Sequence, residues 1–483
     1  MNKTIILFLV FIFSENLFSN ERTSARGIGM GRTSVVISRG IDAMGINPAN
    51  IVLVDRGAYT TFALFPIGLR AGSDFLNYKV YNDFFTGDPD SLDKDGKRVI
   101  GRRLDEDDKD GILNLFPGGM AHTQMDLDAM LLGFTSKGGN FGIGFSVTER
   151  ISGNIDLPSG YLRILMKGFE EQGSDYDLNN TAIGARAMME YNYSVAYELP
   201  NDFKIGKFKD IAVGLSYKKM YGTHYRGTDH YNGNLRNIVY KNKDSVNWID
   251  SMKITGSVDF AEFSSSIPSK DILSVLLLNS QPAGKGTGFD FGITAKLNKH
   301  WNVAFSVVDL GSILWEKNTK YSEGKGSFSI SDIGTAKNQD SLRNNFKGKS
   351  IDTTSFRRPL PTAIHFGTSI QLDESPYVNK NKFFGKLLLE ADMHIGLNNE
   401  PGNSKLPRFS VGGEYIIPSK WVDWLRVRSG MMFGGRELFS WAFGIGFATQ
   451  VFDFDIGTES IALITNPNSF RNGSVTMGLK VRM

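Results

Sequence analysis

Apolar and polar residues alternate at every second position along most of this chain, the period of a strand with two unlike faces. The longest such run spans residues 185–198. Ala185, Ala187, Met189, Tyr191, Tyr193, Val195 and Tyr197 fall on one face, with Arg186, Glu190, Asn192, Ser194 and Glu198 on the other. After the turn Leu199-Pro200-Asn201-Asp202, Ile211, Val213, Leu215 and Tyr217 repeat the pattern against Gly214, Ser216 and Lys218. Strands of soluble sheets average about five or six residues, whereas tilted membrane strands need about nine to eleven. Runs of this length favour a membrane barrel over a soluble sandwich.

The same period recurs on both sides. Residues 58–69 read as a first strand interrupted at Pro66, which an edge or bulge tolerates. Residues 125–135 and 140–148 flank Ser136-Lys137-Gly138-Gly139, the signature of a hairpin. Phe289, Phe291, Ile293, Ala295 and Leu297 alternate with Asp290, Gly292, Thr294 and Lys296, and Trp301, Val303, Phe305 and Val307 follow a short turn. Alternation resumes at Ile364 and continues to Val475, Met477, Leu479, Val481 and Met483. Short linkers such as Pro418-Ser419-Lys420 alternate with longer ones, as periplasmic turns and external loops do. The pattern predicts an all-β fold, a transmembrane antiparallel barrel of about fourteen strands. Helical spacing at 159–169 and 272–278 adds short loop helices.

One stretch breaks the alternation. Residues 25–51, ARGIGMGRTSVVISRGIDAMGINPANI, are rich in small residues and close on the turn signal Asn47-Pro48-Ala49-Asn50. Gly27, Gly29 and Gly31, at every second position, let backbone approach backbone closely, as in a segment packed inside another structure. A dinucleotide loop would need a strand before it and a helix after it. Here residues 1–19 precede it, with Lys3, an apolar run and a polar end, the three parts of a cleaved signal peptide. That run is too short to span a bilayer as a helix. The chain divides into a leader (1–19), an N-terminal hatch (20–52) and a barrel (53–483).

Charge and composition narrow the chemistry. Among 483 residues, 54 Lys and Arg against 51 Asp and Glu give a net charge of +3, with no nucleic-acid footprint. The absence of cysteine removes disulfides, thiolate metal sites and lipid acylation. A mean hydropathy of -0.20 fits a polar lumen. If the apolar faces meet lipid, Arg186, Glu190, Asp290, Lys296, His365, Glu390, Asp392, His394, Arg408, Glu414, Arg426 and Arg428 face the lumen, because charge on the lipid face costs ~2–4 kcal/mol at mid-depth. These charges either pair with one another and with the hatch or line a conducting path.

Asp88, Asp90, Asp93 and Asp95, then Glu106, Asp108 and Asp110, invite a calcium reading. The EF-hand pattern fails, because the closing glutamate position counted from Glu106 is Pro117. His224 and His230 lack a third ligand, and no G-x-S-x-G elbow occurs. No catalytic, metal or cofactor site is expected, and the chain does not read as an enzyme.

Gly29-Met30-Gly31, Gly45 and Asn47-Pro48-Ala49-Asn50 together resemble the N-terminal signature of the FadL-type outer-membrane barrels. The stretch from Gly286 through Asp309-Leu310-Gly311 to Trp315 is similar to the uncharacterised and type IX secretion shuttle-like members in Bacteroidetes-like bacteria. The resemblance implies a hatch that plugs the lumen, a place in the bacterial outer membrane among its lipid, and insertion by the barrel assembly machinery. It also implies that small hydrophobic compounds bind in, or pass through, the plugged lumen. The alternative is a structural or interaction barrel of a secretion or cell-surface assembly, whose loops bind partner proteins without transport. The last strand lacks the terminal aromatic usual in such barrels.

Overall fold

Strands form wherever alternation runs long, and in the computed structural model they close on themselves. The structure describes residues 22, 24–53, 57–75, 77–85, 104–116, 119–168, 174–200, 202–241, 249–268, 281–331, 348–376, 378, 384–418, 422–435, 439–466 and 472–483. The leader, Asp88 to Asp95, Pro117 and the helix expected at 272–278 lie outside the described residues.

The strands are β1 (Thr60–Ala63), β2 (Ile67–Ser73), β3 (Met120–Gly138), β4 (Phe141–Pro158), β5 (Asp175–Asp177), β6 (Ala182–Glu198), β7 (Lys209–Lys241), β8 (Ile249–Ser266), β9 (Gly284–Lys296) and β10 (Trp301–Trp315). They continue as β11 (Lys320–Ser331), β12 (Lys349–Asp352), β13 (Phe356–Pro359), β14 (Ala363–Gln371), β15 (Lys386–Gly396), β16 (Arg408–Ile416), β17 (Leu425–Gly434), β18 (Phe439–Ala448), β19 (Phe452–Thr458) and β20 (Asn472–Arg482). β20 pairs with β19 on one side and with β1 and β2 on the other, closing the ring. Counting β1 with β2, and β13 with β14, as single wall strands, this is a closed antiparallel barrel of 14 strands. Closure leaves the wall no open edge.

Phe141, Val195, Phe291, Phe409 and Trp441 are exposed on the outer face, while Glu190, Asp290, Glu390 and Arg428 are buried on the inner one. Apolar outside and polar inside is the arrangement of an outer-membrane barrel. The first wall strand is broken at residues 64–66. β1 and β2 both pair with β3, but the ladder skips between them, and Phe65 takes φ +50. β3 bulges opposite the break, between Met130 and Leu132. Proline has no amide to give the ladder, and here the Met130 amide donates to the Pro66 carbonyl across the gap at 3.0 Å.

β7 runs for 33 residues, about three times the length a membrane strand needs. Its first part pairs with β6 and β9 in the wall; its last part pairs with β5 and β8, β8 with β11, and β11 with β12. The sequence pattern predicts only the wall portion, followed by a polar stretch. The strand continues because this outer sheet buries one face, with Tyr176, Leu235, Ile254 and Val258, and leaves the other polar. On the polar face Asp259 accepts from Lys325 Nζ at 2.7 Å and lies 3.2 Å from His230 Nε2. Lys325 first, then His230, hold the Asp259 carboxyl below the usual carboxylate range.

A helix at Ser159–Lys167 and another at Glu106–Leu113 lie in the long connections, joined by the Lys167–Asp110 ion pair. Glu106, Asp108 and Asp110 are thus helical residues, and Asp108 closes a capping box with Asp105.

Candidate functional site

The hatch owes its shape to small residues and local caps. Ser24 Oγ accepts from the Gly27 amide at 3.0 Å and starts the helix Ala25–Gly29. Asn47 caps the turn Pro48–Val52, with Pro48 in its first position. The side-chain amides of Asn47 and Asn50 both donate to the Val35 carbonyl, at 3.1 and 2.9 Å. Met30, Asn47, Ala49 and Asn50 are each 0% exposed. The Asn-Pro-Ala-Asn element therefore folds the hatch against itself.

The hatch lies against the inner wall at backbone distance. A Cβ on Gly31, whose φ is +71, would stand 2.9 Å from the Met431 amide nitrogen, and one on Gly142 would stand 2.8 Å from Val52. Wall glycines Gly214, Gly292, Gly412 and Gly430 likewise receive Ala49, Asn47 and Met30 where a side chain would overlap them. Gly27 faces Ser34 within the hatch, and Gly45, at φ +73, leaves room for Arg22.

Charges fasten this contact. Arg26 forks onto Glu414, with Nε to Oε2 at 3.0 Å and the second bond at 2.8 Å. Arg32 pairs with Glu459, Asp42 with Lys480, and Arg22 with Glu190. Two further carboxylates hold hatch backbone. Asp392 Oδ2 accepts from the Ser34 and Val35 amides at 2.6 and 3.0 Å, and Glu390 Oε1 from the Val36 amide at 2.9 Å. Burying charge costs energy unless it is paired and hydrogen-bonded; the arginine and lysine contacts are ion pairs, while Asp392 and Glu390 are held by hatch amides.

Glu190 and Asp290 belong to a central cluster. Lys218 Nζ lies 2.8 Å from Asp290 and 2.5 Å from Asp309, and Arg150 bridges Glu190 and Asp309. With Arg22, three cations face three carboxylates. Arg428 joins Glu414 to Asp455, whereas Arg426 donates to the Asp423 carbonyl near a short turn. Arg186 donates to the carbonyls of Pro359, at the end of β13, and Pro401, in the connection after β15, pinning that connection into the barrel mouth. His365 and His394 meet edge to face, 4.6 Å apart. Lys296 is different: it is exposed at a strand end and pairs with Asp210 at 3.1 Å. Sequence reasoning missed the hatch charges Arg22, Arg26, Arg32 and Asp42, and Arg150 and Asp309 in the wall; the alternation around Tyr217 does place Lys218 inward.

Two small cavities flank the hatch. One, of about 60 Å³, is bounded by Ala25, Ile41 and Met44 of the hatch and by Ala63, Pro66 and Met130 beside the break in the first strand. The other, of about 30 Å³, lies higher, bounded by Arg150, His365 and His394 and by Pro361, Gly402 and Asn403. Each has room for a few waters, at the ~10–15 Å³ that one needs. Among the described residues, no group of three or more His, Cys, Asp or Glu is arranged to hold a metal. His230 instead pairs with Asp229 and Asp259.

Among solved structures, the toluene transporter TbuX of Ralstonia pickettii is similar at 11% identity and a TM-score of 0.45, covering 96% of this chain and 99% of that one. The toluene transporter TodX of Pseudomonas putida is similar at 10% identity and a TM-score of 0.41, covering 96% and 98%. A FadL homologue of Pseudomonas aeruginosa gives 10% and 0.44, over 96% and 98%. No curated protein matches the chain. Residues 48–402, from the last turn of the hatch to the inward-folded connection after β15, match one family throughout, and the chain belongs to it: the Family of unknown function (DUF5723).

Proposed function

We propose that this chain is exported by its leader to the outer membrane, where it binds a small hydrophobic compound between hatch and wall and passes it when the hatch shifts. The observation that carries the reading is the larger cavity. It places methyl and thioether groups of the hatch opposite Ala63, Pro66 and Met130, where the wall ladder is broken. At the break the ladder is thinned to the Met130–Pro66 backbone bond across the gap, and its opening would let an apolar molecule partition in from the bilayer. Known ligand pockets measure ~300–1,000 Å³, so entry of anything larger than a few atoms requires the hatch to move. The resemblance of Gly29-Met30-Gly31 and Asn47-Pro48-Ala49-Asn50 to the FadL-type signature supports the same reading.

A second reading, a structural or interaction barrel of a surface assembly, is favoured by the outer sheet, whose polar face stands clear of the wall.

Native mass spectrometry of the detergent-refolded protein, after exposure to bacterial lipid extract, tests the first. A lipid-like bound mass is expected in the wild type, and its loss in Met130→Trp, which fills the cavity, and in a deletion of residues 25–50. Absence of bound mass from a wild type that is folded by circular dichroism would overturn the reading, and cross-linking to surface proteins would then test the second.

A further inference from the structure

The two cavities have different walls but share two residues, Arg22 and Ile46. We propose that the Arg22 side chain is the gate between them, dividing what is otherwise one aqueous path through the lumen. The assignment rests on the same hatch–wall site as the binding function, though its test needs no hydrophobic ligand.

The upper cavity is closed above by Pro361, Gly402 and Asn403, in connections that fold inward from the rim. Asn403 holds them there, donating to the Thr362 carbonyl at 2.8 Å. The lower cavity reaches Asp453 and Lys480, and Asp453 stands two residues beyond Val451, in the short turn between β18 and β19. The pair thus extends from the inward-folded connections almost to the opposite rim, interrupted at Arg22 and Ile46.

Those two residues are held differently. Ile46 is fixed by its backbone: its amide donates to the Ala43 carbonyl at 3.1 Å, and its carbonyl accepts from Ser306 Oγ at 2.7 Å. Arg22 is held through its side chain, by Thr148 Oγ1 at 2.8 Å and by the Glu190 carboxylate. Thr148 belongs to the lower cavity, and Arg150, a second cation on Glu190, to the upper one. A guanidinium clamped across a partition by two side-chain contacts can leave through rotamer changes while the hatch backbone stays seated. Glu190 then keeps Arg150 and, at 3.8 Å, Lys218, so the wall cluster retains two cations. The opened path would be lined by charges of both signs, which suits water and small ions.

Planar-bilayer conductance in potassium chloride tests this with three full-length variants: residues 400–404 replaced by two glycines, Arg22→Ala, and both together. Each single change is expected to leave the barrel nearly closed, since it removes one of two barriers. The combination is expected to conduct at least about ten-fold more than either. A combination no more conductive than the larger single variant, with each barrel folded by heat-dependent gel mobility, overturns the gate. If Arg22→Ala does not refold, Ile46→Ala, which opens the same partition without touching a charge, takes its place with the same expectation. Conductance without lipid capture would sink the binding function and leave the gate standing; the reverse would sink only the gate.

Discussion

Gly29 of the hatch and Gly444 of β18 face each other so closely that a Cβ on either would lie 2.8 Å from the Cα of the other. Packed Cβ atoms do not approach that near, so the seat of the hatch helix is built from two absent side chains. Gly29→Ala and Gly444→Ala are each expected to lower stability by ~1–3 kcal/mol, the usual cost of overpacking against rigid backbone. Both should also open the hatch to trypsin at Arg26 and Arg32. Gly326→Ala on β11, where nothing stands within 4 Å, is the control and should leave both readouts unchanged. Equal melting temperatures and digestion patterns for all three variants would refute this close seating.

The carboxylate of Glu414 serves two guanidiniums, Arg26 from the hatch and Arg428 from the neighbouring strand. Removing one partner of a buried pair costs ~3–5 kcal/mol, so Glu414→Ala should destabilise on that scale. Its hydrogen exchange should accelerate across residues 25–30 more than in the wall. A double-mutant cycle with Arg26→Ala should return a coupling of ~0.5–3 kcal/mol, and a coupling of zero would show that the fork does not hold the hatch.

Lys218, 0% exposed, offsets Asp290 and Asp309 together. Lys218→Met should lower the unfolding midpoint by the equivalent of ~3–5 kcal/mol, and adding Asp290→Asn should recover part of it by removing an uncompensated charge. A double variant less stable than the single one would contradict this account of the cluster.

On the outer sheet, the contact with Lys325 lowers the pKa of Asp259. A depressed carboxylate contributes stability above its unfolded value, about 3.9, and loses it as the pH falls through the folded value. Carboxyl NMR titration should therefore give Asp259 a midpoint below that value in the wild type and a higher one in Lys325→Ala. Because the pair lies in contact with solvent, where such contacts contribute little, the global melting temperature should not respond measurably.

Much of the wall was legible because lipid outside and charge inside impose a period of two, which residues 185–198 display with exceptions such as Met188, and residues 289–297 and 301–307 display on either side of their turn. Pro66 announced the break in the first strand, since a residue without an amide cannot continue a ladder. The outer half of β7 was not legible, because with a polar face in water its run of Arg226, Asp229 and His230 has the composition of a loop. Within the lumen, parity told which charges face inward, Lys296 excepted, but not what they meet. Arg26 and Glu414 are 388 residues apart, and nothing local in either segment specifies the other. The wall glycines were equally silent: Gly430 or Gly292 reads in sequence as a weak strand residue, and only the seated hatch shows the space each one leaves.

The spans of the hatch contacts bear on the order of assembly. Arg32 reaches Glu459 across 427 residues and Asp42 reaches Lys480 across 438, so two of the hatch's ion-pair partners come from the end of the chain. Contacts this distant in sequence form late, after the loops between them have closed. The N-terminal hatch is thus among the last parts of the chain to find its place. Until β20 meets β1, the hatch lacks the partners it finds at Glu459 and Lys480, and completing the ring and filling it become a single closing event.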